Sequence, residues 1–324
     1  MRYLTGSDLA AIISMKEAIA AVRSGFSALS AGEAISPLRT AIVLPGLGDV
    51  LIMPVYLPAE KTTTVKVVSI CPGNRERGLP LLQALVQVFD AETGTPLAVI
   101  DGIGLTRLRT AAASGLATDL LARPDSRTVA VIGAGVQGGS QLTAVCAVRA
   151  IEKAWAFDVD KDRLTAFCER MTRELGLPVA PAASAAEAVR AADVICTATT
   201  APDPVIPDAA VKPGAHVNAI GAYRPHTREL PGELVRRSRL FVDSVEACLE
   251  EAGDIIIPIQ AGLFSRRHIV GEIGQLINRQ IPGRLSDQEI TLFKSVGVAV
   301  QDGAVATAIA RKAELLGGGL HLPG

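Results

Sequence analysis

Aromatic side chains are scarce: Phe, Trp and Tyr make up 3% of the 324 residues, too few for a base-stacking platform on single-stranded nucleic acid. Neither sign of charge is in excess. Lys and Arg number 32 against 33 Asp and Glu, a formal net charge of −1, and no long basic run offers an electrostatic footprint for nucleic acid. No run of about 18 apolar residues is present to cross a bilayer. The N-terminus lacks the charged, apolar and small-residue order of a signal peptide, so a soluble, cytoplasmic protein with no nucleic-acid or membrane partner is expected. The five cysteines, Cys71, Cys146, Cys168, Cys196 and Cys248, are odd in number and form no CxxC pair, which argues against a disulfide framework or a thiolate zinc site. His216, His226, His268 and His321 show no HxxxH spacing, and no metal is expected.

Apolar residues are plentiful, at 49% against 20% charged, the balance of an ordered globular chain. The length predicts about two domains, each able to bury a core. The most informative stretch is Val129-Ala130-Val131-Ile132-Gly133-Ala134-Gly135-Val136-Gln137-Gly138. Its apolar run suits a parallel strand covered on both faces. The glycines then serve three different ends: Gly133 a tight turn, Gly135 close approach of the backbone to a pyrophosphate, and Gly138 tight packing of the next helix, expected over 136–149. The phosphate would sit on that helix N-terminus, where unpaired N–H groups and the helix dipole favour an anion. A second strand, 154–158, ends in Asp158, about 20 residues past Gly138, the spacing of an acid that hydrogen-bonds a ribose. Strand, turn, helix, strand and acid in this order predict dinucleotide binding.

Before this loop the chain reads differently. Met15, Ile19, Val22, Phe26 and Leu29 recur at helical spacing behind a capping box, Ser14 with Glu17. Short β-branched runs follow at 39–44, 50–56, 63–70, 83–90 and 96–101, the last two joined by a turn at Glu92, Thr93 and Gly94. This half is expected to be antiparallel α+β, spanning 1–120 and closing with a helix at 106–122. The second half, 121–303, alternates helices at 161–175 and 185–191 with strands at 193–197, 216–220 and 239–242, as in a doubly wound α/β sheet. An alanine-rich helix within 297–316 is a candidate to cross back, so that about 304–324 would rejoin the first domain.

Three cations stand out. Lys66 lies in an otherwise apolar strand, where an unpaired ammonium is costly to bury; something anionic should meet it, unless it snorkels from an edge strand. Arg39 opens a strand, and Arg109 sits on a helix face of small apolar residues. The guanidinium fork binds carboxylates bidentately, so the three could converge on an α-carboxylate. The stretch from Gly214 to Leu230 includes a strand ending at Gly221, beyond which ligands collect in open α/β sheets.

Taken in order, Val65-Lys66-Val67, Leu108-Arg109-Thr110-Ala111-Ala112, the glycine loop, Lys212 to Gly221, Arg228-Glu229-Leu230, Val242-Asp243-Ser244 and Phe293 to Gly297 resemble the ornithine cyclodeaminase and mu-crystallin family over nearly the whole chain. The resemblance implies a homodimer built through an N-terminal substrate and dimerisation domain, a Rossmann domain for NAD or NADP, and an active site in the cleft between them. Arg39, Lys66 and Arg109 match positions that hold the substrate carboxylate. Thr110 and Ser295 match positions near the cofactor, beside the loop residues Gly133, Ala134, Gly135, Val136, Gln137 and Gly138. Asp158 matches the acid of NAD-preferring members, and a carboxylate there repels a 2′-phosphate; Lys161 and Arg163 nearby keep NADP open.

Two positions depart from the cyclodeaminase pattern. Tyr223 stands where those enzymes carry a catalytic aspartate, and the glutamate for the distal amine, near Leu51, is missing. A diamino acid would leave its second ammonium unpaired, which costs roughly several kcal/mol in a dry cleft. The expected reaction is therefore hydride transfer between a nicotinamide and the C=N carbon of an α-imino acid, such as Δ1-pyrroline-2-carboxylate or Δ1-piperideine-2-carboxylate, or the reverse amino-acid oxidation. Lys66 and Tyr223 are the candidate proton carriers. The alternatives are an ornithine cyclodeaminase, an alanine dehydrogenase-like enzyme and a mu-crystallin-like ligand binder.

Overall fold

The structure, a computed structural model, describes residues 1–322. The chain opens with β1 (Arg2–Leu4), α1 (Gly6–Ile12) and α2 (Met15–Ser30), followed by β2 (Thr40–Leu44), β3 (Gly48–Leu57), β4 (Thr62–Ile70), β5 (Leu82–Asp90) and β6 (Pro96–Asp101). Next come α3 (Gly102–Leu121), β7 (Thr128–Ile132), α4 (Val136–Val148), β8 (Lys153–Phe157), α5 (Lys161–Leu175), β9 (Val179–Pro181), α6 (Ala185–Arg190), β10 (Val194–Thr197) and β11 (His216–Ala219). The remainder is α7 (Gly232–Arg237), β12 (Ser238–Val242), α8 (Val245–Glu251), α9 (Gly253–Gln260), β13 (Ile269–Glu272), α10 (Ile273–Ile277), β14 (Ile290–Lys294), α11 (Ala299–Leu316) and β15 (Leu320–His321). Two compact units result: Met1–Arg109 with the stretch from Val298 onward, and Thr110–Gly297. The division falls inside α3.

In the first unit, β15-β1-β6-β5-β4-β3-β2 form one sheet. β2 to β6 are successive antiparallel neighbours, but β1 pairs parallel to β6, which an all-antiparallel reading does not include. Three residues are too few to show alternation, and the long connection between β1 and β6 leaves a parallel pairing open to them. The β5–β6 turn forms as its residues require: Gly94 takes a φ of +72°, and Asp90 Oδ1 accepts from the amides of Glu92 and Thr93. α2 is capped by Ser14 and Glu17 reciprocally. One sheet face, including Met53, Val55, Val68, Val86, Val88 and Ile100, is buried beneath a layer in which α2 packs on α11 and α11 on the strands. Each fully buried side chain of this kind contributes about 1.5–3 kcal/mol.

The second unit holds eight parallel strands in the order β13-β12-β14-β11-β10-β7-β8-β9. β7 is central, with β8 and β9 to one side and β10 and β11 to the other, so the order reverses between β7 and β10; such a switch point opens a crevice at the carboxyl ends of the strands. Val129, Val131, Leu142, Val145, Phe167, Met171 and Val194 share a core. β14, β13 and β9 were not expected as strands. β14 enters between β11 and β12 and ends in a fully buried lysine, a residue that hides a buried strand from hydrophobicity. No helix among the described residues is long and apolar enough to cross a membrane.

Candidate active site

Strand register builds the first unit's part of the site. Lys66 faces Met53 on β3 and Val86 on β5, in the middle of the buried sheet face, and is 2% exposed. Its ammonium is not left alone: Nζ donates to Asp302 Oδ2 at 2.7 Å. The other oxygen of Asp302 accepts from Arg109 Nε at 3.0 Å, and Arg109 Nη1 also donates to Gln301 Oε1. α11 thus supplies the anion that Lys66 needs, and the edge-strand snorkelling alternative does not hold. Gly303 makes the reach possible. A Cβ at that position would lie 2.4 Å from Val55 Cγ1 and 2.9 Å from Thr64 Oγ1, so only glycine lets the helix lie this close to β3 and β4.

Arg39 immediately precedes β2, whose Thr40 pairs with Ile52, so continuing the register brings Arg39 level with Met53 and hence with the row of Lys66. Burial pulls the Lys66 ammonium down to about 8; Asp302 opposes this, while Arg109 and Arg39 add to it. The three cations are therefore electrostatic neighbours. Leu51 pairs with Val68 and lies two residues from Met53, so it shares the Lys66 face and places an apolar side chain there.

The glycine loop of the second unit behaves as its spacing requires. Gly133 has a φ of +101°, and a Cβ on it would meet Ala198 O at 2.6 Å; one on Gly138 would meet Gly133 O at 2.1 Å. A Cβ on Gly135 would meet nothing within 4 Å. Gly135 is the N-cap of the 13-residue α4 and carries no side-chain cap, while Ala134 completes the turn and Val136 and Gln137 open the helix. Gln137 Oε1 is buried without a partner among the described residues. Uncapped amides beneath open space at a switch point suit a pyrophosphate. Asp158 follows β8 and turns back to this loop: Oδ2 accepts from Ala134 N at 2.8 Å and Oδ1 from Asp160 N at 2.9 Å. Arg163 Nη1 lies 3.7 Å from Asp158 and its Nη2 bonds Asp160. These residues fit a dinucleotide with a free ribose 2′-hydroxyl.

Thr110 follows Arg109 on α3 and is buried. Ser295 Oγ donates to Asp243 Oδ2 at 2.7 Å, an oxygen that also accepts from the amides of Val296 and Gly297, so this segment is tied down beyond β14. Tyr223 is half-buried beyond β11, with the Arg224 guanidinium 5.9 Å from its ring centroid.

The segment before Tyr223 is clamped by buried charge. Glu229 accepts from Gly221 N at 2.7 Å, from Thr197 Oγ1 at 2.8 Å and from Thr199 N at 2.7 Å. Lys294 Nζ bonds Ala222 O at 2.5 Å and Asp254 Oδ2 at 2.8 Å, and Asp254 Oδ1 accepts from the amides of Glu229 and Leu230. Burial raises the Glu229 carboxyl against the pull of Lys294, and the two carboxylates together outweigh burial to hold Lys294 charged. His216 has a fastening role instead. Burial, aided by Arg284, lowers it to about 3, and the neutral ring links Thr291 on β14 to Asn218.

Sequence reasoning missed Asp302, Gln301, Glu229, Asp254 and Lys294 as parts of these clusters. A signal existed for the first two: Gln301 and Asp302 interrupt a helix that otherwise runs Ala299, Val300, Gly303, Ala304, Val305 and Ala306.

Residues 3–315 match the profile of the Ornithine cyclodeaminase/mu-crystallin family. The chain is similar to Δ1-pyrroline-2-carboxylate reductase of Bacillus cereus, 38% identical over 315 residues that make up 97% of each chain. Among solved structures it is similar to Thermococcus litoralis Δ1-pyrroline-2-carboxylate reductase in complex with NADH and L-proline, with a TM-score of 0.96 and 43% identity over 99% of this chain and 100% of that one. An archaeal alanine dehydrogenase dimer with bound NAD follows, with a TM-score of 0.93 and 34% identity over 100% and 99% of the two chains. With its folded units, its glycine loop and its full-length relatives in agreement, the chain belongs to the ornithine cyclodeaminase/mu-crystallin family.

Proposed function

We propose that this protein is an NAD-dependent reductase of cyclic α-imino acids, with Δ1-pyrroline-2-carboxylate as the leading substrate and Δ1-piperideine-2-carboxylate as its six-membered counterpart. In this reading the first unit binds substrate and the second binds the dinucleotide. The observation that carries it is the composition of the buried face around Lys66: cations for one carboxylate, and an apolar Leu51 where a diamino acid would need an anion. Tyr223 in place of an aspartate points the same way.

Arg39, Arg109 and Lys66 hold the substrate carboxylate by charge-assisted hydrogen bonds, which sets the plane of the adjoining C=N bond. Bound NADH supplies the hydride that reduces the C=N carbon. The nitrogen must gain a proton, and Lys66, whose ammonium is poised near neutral pH, holds one on the carboxylate side; Tyr223 is a second candidate donor. Gly133, Ala134, Gly135, Val136, Gln137 and Gly138 would seat the pyrophosphate, Asp158 the adenosine ribose, and Thr110 and Ser295 would lie beside the cofactor. Release of L-proline, or of the six-membered product, completes the turnover, and the reverse reaction oxidises the amino acid.

The active form in this reading is a homodimer. Ile42, Val67 and Leu85 are exposed on the sheet face opposite Lys66, with Val67 paired to both Ile52 and Leu85, and a contiguous apolar sheet face calls for cover. A cytoplasmic location, where thiols such as the five free cysteines stay reduced, belongs to the same reading.

The test is NADH consumption across a panel of Δ1-pyrroline-2-carboxylate, Δ1-piperideine-2-carboxylate and pyruvate with ammonia or methylamine, with proline formation from ornithine and NAD followed alongside. Rapid turnover of a cyclic imine with negligible proline from ornithine is expected. Proline forming from ornithine at a comparable rate would make the protein a cyclodeaminase. Efficiency confined to pyruvate and ammonia would favour the second reading, alanine dehydrogenase, which the similarity to the archaeal structure supports.

A further inference from the structure

We propose that Asp302 is the positioning residue of the carboxylate site, holding Lys66 and Arg109 as one fixed pair and keeping Lys66 protonated so that the buried cluster meets the substrate with a surplus of one positive charge. The proposal rests on the reading of Lys66 and Arg109 as the substrate-carboxylate cations. Asp302 itself stays behind them and touches no substrate.

The geometry assigns each carboxylate oxygen its own cation, Oδ2 to Lys66 at 2.7 Å and Oδ1 to Arg109 at 3.0 Å, with Asp302 1% exposed. Two buried cations side by side would repel strongly in a medium of low dielectric. One shared anion removes that repulsion and leaves two positive charges against one negative in the cluster. Both neighbours of Asp302 serve the same arrangement: Gln301 accepts from Arg109 Nη1, and Gly303 lets α11 approach β3 and β4.

The charged groups facing Lys66 are Asp302 from α11, Arg109 from α3 and Arg39 ahead of β2; its strand neighbours Met53 and Val86 do not titrate. Asp302 is therefore the one influence in this set that favours the ammonium. Without it, burial and the two arginines act unopposed, and Lys66 would lose its proton below the present value of about 8. Binding of a carboxylate should weaken as pH rises through that value, and removing the Asp302 charge should move this alkaline limb to lower pH.

The experiment follows calorimetric binding of pyrrole-2-carboxylate, a planar monocarboxylate that cannot accept hydride, to the NADH-loaded protein from pH 6 to 10. The kcat and KM for Δ1-pyrroline-2-carboxylate are measured over the same range. For Asp302→Asn the expected result is an alkaline limb displaced downward by about one pH unit or more, which is roughly a fivefold loss of affinity near pH 8 and approaches tenfold above it, with KM raised more than kcat is lowered. Asp302→Glu should return the limb to its wild-type position. A limb that stays in place in Asp302→Asn overturns the proposal, and so does one that moves equally in Asp302→Glu. Lys66→Met provides a second measurement that holds if Asp302→Asn alone fails to fold. Adding Asp302→Asn to Lys66→Met should leave the pH dependence of binding unchanged, because the two act as one unit; a further shift would overturn the proposal. A wild-type protein that binds pyrrole-2-carboxylate with this pH limb but reduces no imine, together with a displaced limb in Asp302→Asn, refutes the reductase reading while supporting the role of Asp302. Turnover with an unmoved limb in Asp302→Asn refutes the role alone.

Discussion

In the proposed reading one carboxylate, Asp158, sets the choice of dinucleotide. Its oxygens are held by the amides of Ala134 and Asp160, so it cannot swing away from a 2′-phosphate that enters the same space. Wild-type protein should use NADH with higher kcat/KM than NADPH. Asp158→Ser should cut that preference by roughly tenfold or more, because it removes the repulsion and leaves Arg163 as a phosphate partner. Steady-state kinetics with both cofactors decides it, and equal or better efficiency with NADPH in the wild type would refute the assignment. At this scale the sequence is informative about residues out of place: a lysine in a buried strand and an arginine among alanines stand out as candidates. It is silent about what they bond to. Lys66 and Asp302 lie 236 positions apart, and no periodic pattern relates residues at that distance.

At the scale of elements, the loop after β11 is held by an ionic clamp contributed by β14, α9 and the segment at Glu229. Replacing Lys294 with methionine leaves Glu229 and Asp254 buried without their cation. The expected loss is roughly 3–5 kcal/mol of stability at neutral pH, measured by denaturant unfolding. The pH dependence has a definite sign. A buried carboxyl raised above its unfolded value, as Glu229 already is, binds a proton in the folded state before it does when unfolded. The deficit of Lys294→Met should therefore shrink as pH falls from neutrality toward the ordinary carboxyl value of 4.5. A variant within about 1 kcal/mol of wild type at neutral pH would show that the clamp carries little of the fold's stability. Elements with strong local signals were legible. The capping box of α2, the turn between β5 and β6 and the strand-loop-helix from β7 to α4 all depend on residues a few positions apart. The strands β1, β9, β13 and β14 are short or end in charge, and their existence depends on the neighbours that they pair with.

For the whole molecule, the proposed homodimer can be tested apart from catalysis. Light scattering should give about twice the chain mass of 33.7 kDa at micromolar concentration. Val67→Glu should shift the population toward monomer, because Val67 sits between Ile52 and Leu85 on the exposed sheet face and a buried unpaired carboxylate in an interface is costly. A stable wild-type monomer would refute the assembly, and a fully dimeric Val67→Glu would place the interface elsewhere.

By itself the sequence determined the capping box of α2, the turn between β5 and β6, the strand-loop-helix from β7 to α4 with its three glycines, and the placing of Lys66 and Arg109 in otherwise apolar surroundings. Each of these rests on short-range stereochemistry or on residue identity, which a linear chain displays directly. The tertiary structure decided that β1 runs parallel to β6, that β14 lies between β11 and β12, and that Lys66 and Arg109 share Asp302. Those outcomes depend on contacts between distant segments, whose free energy is gained only when the intervening chain has folded and closed the loop between them.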